Sequence, residues 1–296
     1  MSGVNLQCLA SGADDAARLA ARLGVPLRDI DVHRFPDGEL RVTVGEAVPT
    51  VILYFPLDRP NDKLLVLLFA AEALRRGGAR RLVLVAPYLC YMRQDAAFHT
   101  GEAINQKVIG ALLARTVDRV VTVDAHLHRT KRIEDVFPGI EAQDLSAMPA
   151  IADALRGIAR ETVVVGPDEE SQAWVSDLAG RLSLAAAVAR KTRAGDRSVE
   201  IAFPDPSLFK DRPVLLVDDI VSSGGTLIAC ARALAAAGAR TVDAVITHAL
   251  FAPEMIADFK RAGIGSIRST SSVPHPTNAI ALDGILAAAL EKEFSA

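Results

Sequence analysis

Cysteine, tryptophan, long apolar runs and an excess of positive charge are all scarce or missing in this chain of 296 residues. No stretch approaches the roughly 18 uninterrupted apolar residues of a membrane-spanning helix, so no membrane partner is expected. The three cysteines, Cys8, Cys90 and Cys230, lie far apart in apolar surroundings without a CxxC pair. They read as reduced core residues of a cytoplasmic protein rather than as a disulfide framework. The first twenty residues carry no basic segment ahead of their apolar ones and reach Asp14 and Asp15 early, so a secretory leader is not expected. With Lys+Arg 33 against Asp+Glu 36 the net charge is -3. A protein that neutralises a nucleic-acid backbone is normally basic, so nucleic acid is not expected as a partner either.

What is present is the composition of an ordinary globular protein, 50% hydrophobic and 23% charged. At roughly 150 residues per domain the length suggests two domains. Short β-branched runs recur: VILYF (51–55), RLVLVAP (81–87), RVVTVDAH (119–126), TVVVGPD (162–168), PVLLVDD (213–219) and VDAVITH (242–248). Several are too uniformly apolar for a half-exposed sheet, which is how buried parallel strands look. Helical spacing fills the gaps between them, as at Leu227, Cys230, Ala231 and Leu234. An α/β architecture with mainly parallel sheets follows. The segments 70–89 and 230–251 each read as helix, Gly-Ala-Arg, strand and loop. This weak internal repeat favours two similarly built halves, 1–145 and 146–296, with the last helix free to pack back on the first. HRFPDGELRV (33–42) and ARKTRAGDRSVEIAF (189–203) read as hairpins around polar turns.

The strongest chemical signal is VLLVDDIVSSGGTLIACARAL (214–234). A buried strand ends in Asp218 and Asp219, and the turn Ser222, Ser223, Gly224, Gly225, Thr226 opens an amphipathic helix. Glycines let the backbone curl, main-chain N–H groups converge at the helix start, and hydroxyls add donors, which makes an anion cradle. It contains no lysine and lacks the ATPase phosphate-loop spacing. Neutral phosphate donors beside two carboxylates suit a sugar phosphate, with the acids accepting from ribose hydroxyls or holding Mg²⁺ through water. In VTVDAHLHRT (121–130), alternation along a strand would put Asp124, His126 and His128 on one side. That pattern fits a metal site or simply a polar strand end.

The cradle resembles the phosphoribosyl pyrophosphate motif of type I phosphoribosyltransferases and of ribose-phosphate pyrophosphokinases, with Ser223 where threonine is usual. Five further segments resemble the pyrophosphokinases in particular. FPDGEL (35–40) is similar to their adenine-binding hairpin, which implies base contacts from Phe35, Asp37 and Glu39. APYLCYMRQD (86–95) is similar to their Pro-Tyr-x-x-Tyr-x-Arg-Gln-Asp stretch, implying ATP contacts from Arg93, Gln94 and Asp95; read without the resemblance, Arg93 and Asp95 form an ion pair. Asp124 and His126 match an Asp-Leu-His motif, which implies that His126 sits beside Mg²⁺ and the triphosphate. Asp168 of GPDEESQAWV (166–175) matches a metal-site aspartate. Lys191 and Arg193 match the basic pair at the root of a catalytic loop.

The resemblance therefore implies two phosphoribosyltransferase-type domains and an Mg²⁺-dependent transferase acting on ATP and ribose 5-phosphate. It also implies a homo-oligomer built from dimers. The rival readings are a nucleobase phosphoribosyltransferase and a non-catalytic regulatory subunit. Three departures bear on allosteric control and nucleotide preference: Arg129 stands in place of a glutamine, Glu170 and Ser171 replace Gly-Gly, and the segment after Asp95 is less basic than in many members.

Overall fold

The computed structural model describes residues 3–194 and 198–294, the side chains of residues 191–200 excepted. Two compact units emerge, one comprising Met1–Ser146, Ser272–Pro274 and Leu282–Ala296, the other Ala147–Ser271 and His275–Ala281.

The first unit runs β1 (Val4–Cys8), α1 (Ala13–Leu23), β2 (Leu27–Asp29), β3 (Asp31–Arg34), β4 (Leu40–Thr43), β5 (Thr50–Tyr54), α2 (Pro60–Arg76), β6 (Arg81–Ala86), α3 (Asn105–Thr116), β7 (Arg119–Val123) and β8 (Glu141–Leu145). The second runs α4 (Met148–Ala154), β9 (Val163–Gly166), α5 (Gln172–Leu182), β10 (Ala185–Val188), β11 (Arg190–Ala194), β12 (Ser198–Ala202), β13 (Pro213–Val221), α6 (Gly225–Ala236), β14 (Thr241–Ala249), α7 (Met255–Arg261), β15 (Ile264–Thr270) and β16 (Asn278–Ile280). Helix α8 (Asp283–Leu290) follows and belongs to the first unit.

Both units use one plan. The first sheet has the order β2-β1-β5-β6-β7-β8 and the second β10-β9-β13-β14-β15-β16, all pairs parallel. In each, a two-stranded antiparallel hairpin, β3-β4 or β11-β12, leaves the sheet between its edge strand and its third strand. The fold is thus α/β with two mainly parallel sheets, and the internal repeat is structural. The Gly-Ala-Arg pair joins α2 to β6 and α6 to β14, each the fourth strand of its sheet. Gly78 and Gly238 take positive φ (104° and 83°). Ala79 N–H then reaches back to Leu74 O, and Ala239 N–H to Leu234 O, both at 3.0 Å. This is the left-handed helix termination that glycine makes inexpensive.

Central strands β5, β6, β7, β9 and β13 are largely apolar because both faces are covered. Around β9, β13 and β14 the core of the second unit gathers Phe209, Leu216, Leu227, Leu234, Ile246 and Phe259. Cys8, Cys90 and Cys230 are free and buried. Among the described residues no helix is long and apolar enough to cross a membrane.

Arg119 on β7 is a buried cation, 1% exposed. Its Nη1 donates to Glu293 Oε1 at 2.7 Å, and its Nη2 donates to Gln143 Oε1 at 2.7 Å and to the Ala289 carbonyl at 2.9 Å. Arg81 Nε donates to the other Glu293 oxygen at 2.6 Å. Burial alone would raise the Glu293 carboxyl, but the two arginines hold it below the usual carboxylate range. Asp283 accepts from Arg22 of α1 at 2.6 Å. Residues 283–293 are therefore pinned to the first unit by charge as well as by packing.

Candidate active site

In the second unit β13 does not stop at the two acids. It continues through Asp218 and Asp219 to Val221, still pairing with β14. Ser222 and Ser223 follow as exposed turn residues. Gly224 then enters α6 in the left-handed region, φ 69°. A β-carbon there would stand 2.6 Å from Phe259 Cε1 and 2.7 Å from Met255 Cε, whereas one on Gly225 would meet nothing within 4 Å. Gly224 has no side chain to cap α6, and the first N–H groups of a helix have no intrahelical acceptor. This end of α6 is therefore a ready anion cradle.

The carboxylates beside it repel one another. Asp218 is raised well above the ordinary carboxylate value, first by burial and then by the charges of Asp219 and Asp168. Asp218 Oδ1 accepts from the Asp219 N–H at 3.0 Å, and Asp219 Oδ1 from the Ile220 N–H at 2.7 Å. Asp168 follows β9, where the chain turns into α5. Ser171, fully buried, donates its hydroxyl to the Asp168 carbonyl at 2.5 Å, and its N–H donates to the same oxygen at 3.1 Å. The serine that replaces the expected glycine thus secures the turn after Asp168. Glu170 is exposed. Lys191 and Arg193 lie on β11, opposite Ile201 and Val199 of β12. Their side chains fall outside the described residues.

In the first unit the β3-β4 hairpin has a tight tip. Phe35 N–H donates to Glu39 O and Gly38 N–H to Phe35 O, both at 2.9 Å, and Asp37 Oδ1 accepts from the Glu39 N–H at 3.1 Å. Phe35 is 39% exposed, with the His33 ring edge-on at 4.7 Å. An aromatic face offered to solvent on a braced turn can stack on a planar ligand. The hairpin is tied to α2 by an ion pair between Arg34 and Asp62.

Beyond β6, Arg93 is exposed. Gln94 accepts from the Asn105 side-chain amide, and its carbonyl accepts from the Gln106 N–H at 3.2 Å. Asp95 has a partner that the ion-pair reading does not name. Arg129 donates its N–H to Oδ2 at 2.8 Å and its guanidinium to Oδ1 at 2.7 Å.

The strand-alternation reading of Asp124, His126 and His128 also needs correction. Strand β7 ends at Val123. Asp124 turns into the left-handed region at φ 39°, so side chains no longer alternate. The turn is held by Asp124 N–H to Leu145 O at 2.8 Å and by Ala125 N–H to Asp144 Oδ1 at 3.0 Å. His126 is half-buried and His128 exposed. That Asp144 holds this loop was not legible in the sequence, where nothing in its surroundings, EAQDL, marks it out.

Among the described residues no three His, Cys, Asp or Glu side chains are gathered closely enough to hold a metal ion by themselves. The mutually repelling Asp168, Asp218 and Asp219 do offer hard oxygen ligands. That suits Mg²⁺, which keeps several waters and is shared between one or two carboxylates and substrate phosphates.

Two parallel sheets of one plan, the second ending in two acids, a glycine turn and a helix start, define a tandem α/β protein of the phosphoribosyltransferase type. Residues 6–116 match the model for the N-terminal domain of ribose phosphate pyrophosphokinase, and residues 142–270 match the phosphoribosyl transferase domain. A ribose-phosphate pyrophosphokinase of Methanopyrus kandleri is 32% identical over 278 residues, covering 93% of this chain and 94% of that one. Ribose-phosphate pyrophosphokinase 1 of Archaeoglobus fulgidus is 32% identical over 280 residues, covering 93% and 95%. The crystal structure of phosphoribosylpyrophosphate synthetase from Mycobacterium smegmatis superposes with a TM-score of 0.83 at 24% identity, covering 99% of both chains. The chain belongs to the ribose-phosphate pyrophosphokinase family.

Proposed function

We propose that the chain transfers the diphosphoryl group of ATP to the C1 hydroxyl of ribose 5-phosphate, giving phosphoribosyl pyrophosphate and AMP. The observation that carries this reading is the cradle of the second unit, where a helix start open to an anion adjoins a carboxyl, that of Asp218, raised by burial and by the charges of Asp219 and Asp168. The 5-phosphate rests on the turn Ser222, Ser223, Gly224, Gly225 and Thr226. Asp218 and Asp219 accept hydrogen bonds from the ribose diol. The match of residues 6–116 to the pyrophosphokinase N-terminal domain disfavours a simple nucleobase phosphoribosyltransferase.

Adenine stacks on Phe35 and bonds to Asp37 and Glu39, while Arg93 and Gln94 hold the triphosphate. The C1 oxygen bonds to the β-phosphorus, the bond from that phosphorus to the oxygen bridging to the α-phosphorus breaks, and AMP leaves with that oxygen. The hydroxyl proton passes to water. A loose transition state asks little of a base and much of positioning and charge stabilisation. Lys191 and Arg193 supply the latter. His126 and Asp168 are assigned to Mg²⁺, which when bound neutralises phosphate charge. We further propose a homo-oligomer built from dimers, and a cytoplasmic location consistent with the buried free cysteines.

The deciding experiment mixes the protein with ribose 5-phosphate, ATP and Mg²⁺ and assays the nucleotide product. AMP is expected. ADP as sole product overturns the reading.

A further inference from the structure

Asp95 and Arg129 are 34 residues apart, yet two hydrogen bonds join them, one from a main-chain N–H and one from the guanidinium. The Asp95 side chain is 1% exposed, while that of Arg129 is 52% exposed. Both carboxylate oxygens of Asp95 are therefore engaged on an inward-facing group, which leaves it badly placed to touch a nucleotide. The main-chain bond matters most. It fixes the course of the backbone three residues beyond His126, as well as the arginine side chain. On the other side, Asp95 directly follows Arg93 and Gln94, and Gln94 is anchored to Asn105 and Gln106. The Arg129 guanidinium also lies over the Phe98 ring, 5.4 Å from its centroid. Phe98 is in turn braced by its N–H to Glu102 Oε2 at 2.8 Å. Charge-assisted bonds of this kind are about twice as strong as neutral ones, and breaking them leaves a buried carboxylate unpaired.

We propose that Asp95 and Arg129 are paired positioning residues that lock the Arg93–Gln94 segment to the His126 loop, so that ATP affinity depends on a contact ATP never touches. The proposal rests on the functional reading above, because it takes both segments to serve the nucleotide. It also gives Arg129, where the family pattern has glutamine, a definite task in this chain.

The test uses Arg129→Gln, Asp95→Asn and the double variant, with ATP plus Mg²⁺ and ribose 5-phosphate titrated separately by calorimetry. Each single change is expected to weaken ATP about 10-fold or more and to leave ribose 5-phosphate within about two-fold. The double variant is expected to be no weaker than Asp95→Asn, because the guanidinium bond that Arg129→Gln removes is one of the two charge-assisted bonds that Asp95→Asn already weakens. Hydrogen exchange across residues 125–130 is expected to accelerate in Asp95→Asn, independently of turnover. Unchanged ATP affinity, equal weakening of both substrates, additive losses or unchanged exchange would each overturn the clasp. If the wild type forms AMP while Arg129→Gln binds ATP normally, only the clasp fails. If the wild type forms no AMP, the functional reading fails and takes the role in ATP binding with it.

Discussion

Gly166 and Ser171 pack so closely that a β-carbon on the glycine would stand 1.9 Å from the serine Oγ and 2.8 Å from its Cβ. That contact lets Ser171 turn inward and bond the Asp168 carbonyl. Gly166→Ala should lower stability by about 1–3 kcal/mol, the usual effect of overpacking. Adding Ser171→Gly should recover part of the loss. Calorimetric melting of the wild type and the two variants checks this; a Gly166→Ala melting point equal to wild type would contradict the packing.

Two adjacent glycines of the cradle should behave differently. Gly224→Ala meets Phe259 and Met255 and holds a positive φ, so it must distort the start of α6. Its ribose 5-phosphate KM should rise by about 10-fold or more, which is what the loss of charge-assisted backbone donors costs. Gly225→Ala, with open space around it, should stay near wild type. Equal effects in steady-state kinetics would show that conformation at 224 is not the reason.

Asp218 gives a pH signature with a definite sign. Because its carboxyl is raised in the folded chain, chiefly by burial and then by Asp219 and Asp168, the folded state keeps a proton that the unfolded state has released. The stability it contributes is full below the ordinary aspartate value and is lost as pH climbs through the raised, folded one. Asp218→Asn should therefore raise the melting temperature at pH 8 by about 2–4 °C, on the order of 1 kcal/mol. The gain should disappear near pH 4, while the ribose 5-phosphate KM rises far more than that of ATP. No gain in melting temperature at pH 8 would count against the acid cluster.

Lys191→Ala and Arg193→Ala should each reduce kcat by about 100-fold or more while KM values stay within a few-fold. A donor used mainly in the transition state has that signature. Near wild-type turnover in both would remove this hairpin from the mechanism.

Glu293→Ala leaves Arg119 buried without its carboxylate and should cost about 3–5 kcal/mol. With the Glu293 carboxyl held low by Arg81 and Arg119 despite burial, the stability it contributes is present above the ordinary glutamate value and is lost as pH falls. Chemical denaturation at pH 7 and at pH 3 should show a wild-type advantage at the first that shrinks at the second.

The doubly buried strands were legible because β5, β6, β7, β9, β13 and β14 are nearly all apolar. The two hairpins were legible from their polar turns. Strand β1 hid its burial behind Asn5 and Gln7, whose amides donate to the Glu46 carbonyl. The edge strand β8 reads EAQDL, a polar run with no strand signature. At the site, residue types and spacing located the cradle. The end of β7 was misplaced because the strand terminates by a left-handed aspartate, which no residue in VTVDAH announces. The Asp95–Arg129 pairing needed the fold, since nothing in either segment names the other.

Strand β7 and its carboxylate partner also stand far apart in the order of synthesis. Arg119 leaves the ribosome long before Glu293, and the whole second unit is made between them. Until residue 293 emerges, the growing chain holds an arginine destined for its interior with Glu141 3.9 Å away but without the carboxylate it will bond. The first unit thus cannot complete its Arg119–Glu293 bond until the sequence of the second has been made.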